Sequence, residues 1–292
     1  MFLYIIFSIY YSIYYSIKMI VVLNPQRNVE TNNDKYNEAI GQFHYILKKI
    51  KRLFGVNNVK TQKMSISHID NIFLRDNYIQ LRNGIIVSRM KNKSRTDEVA
   101  EIKNNTDILN DAIYEIKSPG FMEGGDYLEN KDTSFIGYGE RTNLNAIKQL
   151  MQNNILQKDK LIIIRCTTSK PNEIHLDLLF NVINDNTVLL SFKHKQAKCS
   201  YYKLEKGVYT LISSNRSINE LLEDMSYNII YVSEESQKKL GCNILSYNNI
   251  VLSQDKQVSR DIAERGFEVE QLKMDKIIKY GGGIHCITNE LI

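Results

Sequence analysis

Glycine, cysteine and blocks of like charge are scarce in this chain of 292 residues. Four cysteines, at 166, 199, 242 and 286, form no close pair and no metal-type spacing, which argues against a disulfide framework and against a zinc site. Free thiols point to a reducing, cytoplasmic compartment. Lysines are scattered through Asn/Lys/Ile-rich text, so the formal charge of +5 reflects composition rather than a basic face, and no nucleic-acid partner is indicated. With 43% hydrophobic and 24% charged residues the chain is of globular type, not disordered. Its length suits one large domain or two ordinary ones.

A long apolar run suited to crossing a membrane is also missing. Residues 1–17, MFLYIIFSIYYSIYYSI, are apolar, aromatic and uncharged, but slightly short for a span, and they lack a basic n-region and a small-residue cleavage site. Tyrosine prefers the membrane interface to its centre. Three readings of 1–18 stay open: an extended start, a membrane anchor, or a helix packed on the domain. Membrane contact is expected only if this leader is retained. Met19 opens MIVVLNP, a β-type run and a natural start for a catalytic domain over 19–292.

What is present is a repeat of strand, tight turn, strand, helix and strand. One copy runs from NIFLRDNYIQL through Asn83-Gly84 to GIIVSRM, a helix beginning near Arg95, and AIYEI. Asn-Gly between β-rich runs is a strong hairpin signal. A second has DYLEN, a turn at KDT, SFIGYG, a helix over about 142–154, and LIIIR. The third opens with IHLDLLFNVI, turns at NDN and continues TVLLSF, with its helix not yet placed. In the fourth, NIVLS leads to the helix QVSRDIAER, stopped by Gly266, and to FEVEQL. The fifth is complete only if IHCITNEL near the C-terminus joins the N-terminal helix and its strands. The expected fold is therefore an α/β ring of five ββαβ modules.

In such a ring equivalent strand ends converge on one axis. Asp76, Glu123, His175 with Asp177, and Cys286 all fall in the opening strands of the repeats. Cys286 follows a run of three glycines, in a chain that has only 14. Such a run gives the backbone positive φ and lets another group come close. His175 and Asp177 lie one residue apart in an alternating run, so a strand would put both on one face, opposite Ile174, Leu176, Leu178 and Phe180. His175 is the candidate acid/base for a Cys286 nucleophile, with Glu123 to orient it. His285, next to the cysteine, would face the other way. Two further carboxylates beside a thiol hinder an oxyanion hole but suit a guanidinium, which is planar, cationic and has five N–H donors.

The motifs FLRDN, FMEGGD, GYGERTN, IHLD and GGGIHCIT occur in the order found in guanidino-modifying enzymes. In this the chain resembles arginine deiminases, with dimethylarginine dimethylaminohydrolases and amidinotransferases as relatives, over nearly its whole length after about residue 20. The resemblance implies a five-bladed pseudo-symmetric α/β propeller and a small guanidino substrate, with no metal or organic cofactor. It implies Cys286 as nucleophile, His175 as proton shuttle and Glu123 as its partner, with Asp76 and Asp177 on the guanidinium. Arg95 and Arg141 match the arginines that bind the substrate α-carboxylate. Leu74 and Asn77 depart from the family's F-T-R-D-P pattern, and Asp70 stands where some deiminases have an asparagine. Hydrolysis of arginine is expected, with dimethylarginine hydrolysis, amidino transfer and non-catalytic arginine binding as alternatives, and a homo-oligomer is possible.

Overall fold

The computed structural model describes residues 19–23, 34–62, 72–104, 112–166 and 173–291. The leader, and Asp70 with the neighbouring Asn71, lie outside the described residues.

Strand β1 (Met19–Leu23), helix α1 (Asp34–Phe54) and strand β2 (Val59–Gln62) come first; β1 and β2 pair in parallel. Helix α1 buries Ile40, Phe43, Leu47, Ile50 and Phe54, the spacing of one helical face. The next three units each begin with an antiparallel strand pair. They are β3 (Tyr78–Leu81), β4 (Gly84–Val87), α2 (Thr96–Lys103) and β5 (Ile113–Glu115); then β6 (Tyr127–Glu129), β7 (Thr133–Tyr138), α3 (Leu144–Gln152) and β8 (Lys160–Arg165). The third opens with β9 (Phe180–Asn184) and β10 (Thr187–Ser191).

Here the chain departs from the expected repeat. A hairpin, β11 (Lys198–Glu205) and β12 (Val208–Ser217), intervenes and adds to the edge of the preceding sheet, giving the order β12-β11-β8-β7-β6. Only then come helix α4 (Ile218–Asp224), started by a capping box of Ser217 and Glu220, and strand β13 (Asn228–Val232), which pairs in parallel with β10. This is the helix the sequence left unplaced.

After the short helix α5 (Glu234–Gln237), the fourth unit has β14 (Leu245–Tyr247), β15 (Ile250–Ser253), α6 (Lys256–Ala263) and β16 (Glu268–Gln271). Asp255 caps α6 by accepting from Val258 N, and Gly266, at φ +88°, ends the turn that follows. Strand β17 (Thr288–Leu291) then pairs antiparallel with β1, Met19 opposite Leu291, and completes the first sheet from the far end of the chain.

The result is the five-bladed α/β propeller expected from the repeat. Apolar clusters fill the spaces between neighbouring blades: Leu128, Phe135 and Phe180 between the second and third, Ile79, Ile86 and Ile163 between the first and second. One expectation is corrected. The loop between β3 and β4 is Arg82-Asn83, with Gly84 already in β4 facing Leu81. Gly84 is needed because a Cβ there would strike the Ala112 carbonyl as β5 comes alongside. Among the described residues no helix is long and apolar enough to cross a membrane.

Candidate active site

The candidate residues converge on the axis, but from turns rather than from strands. Asp76 lies in the 3-10 turn Leu74–Asn77 ahead of β3, and Glu123 precedes the turn Gly124–Asp126 ahead of β6. His175 precedes the turn Leu176–Leu178, and β9 starts only at Phe180. The expected shared strand face of His175 and Asp177 is therefore wrong. Leu176 packs between the second and third blades and Leu178 in a different cluster with Tyr78 and Ile287, so the alternation in IHLDLLF reflects two cores. Cys286 sits in the turn before β17.

The glycine run ahead of it has three separate causes. Gly281 takes φ +92°, which favours glycine. At Gly282 a Cβ would strike the Phe73 ring, and at Gly283 it would come 2.5 Å from Asn243 Oδ1. Across the axis, a Cβ on Gly125 would come 2.9 Å from the His175 ring.

Two linked groups of polar side chains result, all of them buried except Arg141, which is about one-fifth exposed. In the first, His175 Nε2 bonds Glu123 Oε2 at 3.0 Å, and its Nδ1 faces Asp76 Oδ1 at 3.6 Å. Arg95 donates to Asp76 Oδ2 at 2.7 Å and, through Nε and Nη2, to both oxygens of Glu98 at 2.8 Å. Arg141 donates to Glu123 Oε2 at 3.2 Å. In the second, Cys286 Sγ lies 3.5 Å from Asp177 Oδ2, and Asn243 Nδ2 donates to the sulfur at 3.2 Å. His285 Nδ1 is 2.8 Å from the same Asp177 oxygen. That corrects the expectation for His285, which lies in the turn and faces the site. Among the described residues no hydrogen bond joins Cys286 to His175.

Burial alone would lower the His175 pKa, but Asp76 first, and then the bond to Glu123, carry it up to about 10, so the ring is an imidazolium at neutral pH. Burial would raise the Asp76 carboxyl; His175 and Arg95 outweigh it and hold the group ionised. Burial, then Asp177 and Asp76, push the Cys286 thiol well above its ordinary range, so the resting sulfur is protonated. Burial and Arg75 lower His285 against the pull of Asp177, which leaves it neutral.

Donor atoms of Asp76, Glu123 and His175 lie within 4.8 Å of one another, the geometry of a metal cluster. Arg95 on Asp76 and Arg141 on Glu123 already supply positive charge there, so the trio reads as a balanced acid/base network. The two arginines stand beside the carboxylates rather than apart from them. Glu98, Asn243 and His285 were not singled out in the sequence. Glu98 had a readable signal in its position three residues after Arg95 at the start of a helix.

A buried cysteine, a charged histidine and three carboxylates on the axis of a five-bladed α/β propeller define the guanidino-modifying class of enzymes. The chain belongs to the arginine deiminase family, whose model matches residues 13–292; enzymes of this family act on guanidino carbon–nitrogen bonds. It is 24% identical over 285 residues to the uncharacterized protein YkgA of Bacillus subtilis, covering 93% of this chain and 86% of that one. It is 26% identical over 250 residues to the arginine deiminase of Listeria monocytogenes, where it spans 75% of its own length but 60% of the relative's. Among solved structures, the N-terminal domain of ArgZ, an arginine dihydrolase of cyanobacteria, bound to its product, superposes with a TM-score of 0.73 at 19% identity, over 94% of this chain and 97% of that one. A Pseudomonas aeruginosa dimethylarginine dimethylaminohydrolase with citrulline superposes with a TM-score of 0.71 at 19% identity, over 93% and 98%.

Proposed function

We propose that residues 19–292 form a catalytic unit that hydrolyses free arginine to citrulline and ammonia. The observation that carries this reading is a pair of buried carboxylate oxygens, Asp76 Oδ1 and Asp177 Oδ1, that have no hydrogen-bond partner. A buried carboxylate oxygen left without a hydrogen bond is costly, even where, as at Asp76, a charged histidine ring stands 3.6 Å away. A planar cation with paired N–H donors offsets that cost at both oxygens at once, and guanidinium has this shape.

The thiol and imidazolium of the resting site fit this substrate. A guanidinium beside Asp177 supplies the positive charge that the sulfur lacks, so the thiol releases its proton to solvent, His175 being already protonated, and the thiolate forms. The sulfur attacks the guanidinium carbon and forms a C–S bond. His175, held at Nε2 by Glu123, gives up its more loosely held Nδ1 proton to a terminal nitrogen; the C–N bond breaks and ammonia leaves. A thiouronium adduct remains on Cys286. Neutral His175 then takes a proton from water, hydroxide adds to the same carbon, and the C–S bond breaks as the hydroxyl proton passes to the departing sulfur, which releases the neutral ureido product and restores the thiol. Splitting the reaction this way replaces one difficult step with two easier ones.

Arg141 and Arg95 are proposed to receive the α-carboxylate, each exchanging a carboxylate of the protein for one of the substrate. Asp177 favours arginine over its dimethylated form, because methylation removes N–H donors where Asp177 accepts them.

The test is incubation of purified protein with arginine, dimethylarginine and agmatine, with assays of ureido product and ammonia. Arginine should be turned over best, and Cys286→Ser should abolish turnover while a trapped adduct maps to Cys286 by mass spectrometry. Preference for dimethylarginine would reassign the substrate, product only in the presence of an acceptor amine would mean amidino transfer, and arginine binding without turnover would mean a non-catalytic member.

A further inference from the structure

The residues to which the proposed chemistry gives a role come from four blades; the fourth supplies none of them. The repeat nevertheless gives that blade a position on the axis. Asp76 stands two residues before β3 and Cys286 two residues before β17. The corresponding residue two before β14 is Asn243, which is completely buried. In the second blade this position is Gly125, where a side chain would run into His175.

Every polar contact of the Asn243 side chain falls on the two turns that carry Cys286 and Asp177. Its Oδ1 accepts from His285 N at 2.9 Å and from Cys286 N at 3.3 Å. Its Nδ2 donates to the Asp177 carbonyl at 3.3 Å and to Cys286 Sγ at 3.2 Å. This pattern fixes which end of the amide is which. Reversal would set an oxygen against the Asp177 carbonyl and an NH₂ group against two backbone N–H donors.

We infer that Asn243 is a positioning residue for Cys286: its oxygen holds the turn, and its N–H is aimed at the sulfur to favour the thiolate over the thiol. The inference deepens the proposed function and rests on Cys286 being the nucleophile. It also fills a gap in the charge balance at the sulfur. The charged groups facing it are the Asp177 and Asp76 carboxylates, which oppose ionisation. Arg75 donates to the Cys286 carbonyl through its backbone N–H, and the neighbouring His285 ring is turned to Asp177. The Gly283 backbone favours the thiolate from one side, and Asn243 gives the sulfur its side-chain donor without adding a proton that could compete with His175.

Asn243→Asp keeps the turn but adds a charge that itself opposes ionisation of the sulfur, so its shift is an upper limit and the uncharged variant Asn243→Ser decides. The carboxylate keeps an oxygen for the His285 and Cys286 backbone donors and loses the N–H directed at the sulfur. Alkylation of Cys286 by iodoacetamide, followed across pH by peptide mass so that Cys166, Cys199 and Cys242 do not interfere, reads the thiol without any substrate. Loss of a charge-assisted hydrogen bond should move the midpoint up by roughly one to two pH units. With arginine, kcat/KM should fall about 10- to 100-fold with the loss mainly in kcat. Asn243→Ser, uncharged and too short to reach the sulfur, should shift the midpoint in the same direction and guards against misfolding caused by the added carboxylate. A melting curve on each variant identifies the folded ones. An unchanged alkylation midpoint in either folded variant overturns the inference. If no guanidine is turned over by the wild type, the proposed function fails while the alkylation profile still decides the role of Asn243.

Discussion

The axis of the propeller and the β11–β12 hairpin reverse the usual distribution of polarity. On the axis Asp76, Arg95, Glu98, Glu123, His175 and Asp177 are buried. On the hairpin Val208, Leu211 and Ile212 are exposed, at 65%, 50% and 48%. Burying charge is costly even when it is paired, and an isolated exposed aliphatic residue costs little. The difference teaches where constraint lies. Each axial group has a partner from another blade or turn, so replacing one leaves the other unsatisfied, whereas the hairpin residues face solvent and oblige nothing. The hairpin extends a sheet; the axis gathers the groups proposed to carry the chemistry.

Five substitutions would break or sharpen this contrast. His175→Asn should have the largest effect, a loss of about 10²- to 10⁴-fold in kcat, the span of positioned acid/base catalysis, measured by citrulline release. The same residue sets a pH limit. His175 is a proton donor only below its raised value of about 10, so the wild-type rate should fall as pH rises through that value. Glu123→Gln removes part of what raises it and should move this alkaline limb to lower pH.

Arg95→Met comes next. It leaves Asp76 and Glu98 buried without their cation, and breaking such a pair from one side costs about 3 to 5 kcal/mol, measured by urea unfolding. Gly282→Ala should cost about 1 to 3 kcal/mol, because the new methyl meets the Phe73 ring in packed surroundings. Leu211→Thr on the hairpin should stay within about 0.5 kcal/mol and leave turnover unchanged. A large loss of activity there would show that the rim is coupled to the axis and end the contrast.

The ring was legible in the sequence because each module carries its own local signals. In the fourth unit the strand NIVLS, the helix that follows, the Gly266 turn and the strand in FEVEQL are where the repeat put them. Even the joining of IHCITNEL to the N-terminal unit could be read, since each piece alone lacked a strand. The hairpin hid the third helix: β11 and β12 read as β text, and nothing local says that they belong to the sheet before. The motifs made the chemical residues legible, but their backbone was misjudged. A 3-10 turn whose side chains serve two cores, as Leu176 and Leu178 do, has the same apolar alternation as a strand. Contacts between blades, such as Asn243 with Cys286 or His285 with Asp177, depend on how the blades assemble, and no local pattern records that.

The pairing of Met19 with Leu291 has a consequence for the order of assembly. It joins the most distant described parts of the chain, and contacts of such long range form slowly because a long loop must close first. Cys286 lies immediately before that seam. A partly synthesised chain can therefore fold its middle blades while the turn that carries Cys286, the proposed nucleophile, has nothing to hold it, and the thiol acquires its surroundings only when the ring shuts. Recovery of activity on refolding should follow the slowest phase, lagging the return of helix signal. The last seam to close is thus the one that seats the proposed nucleophile.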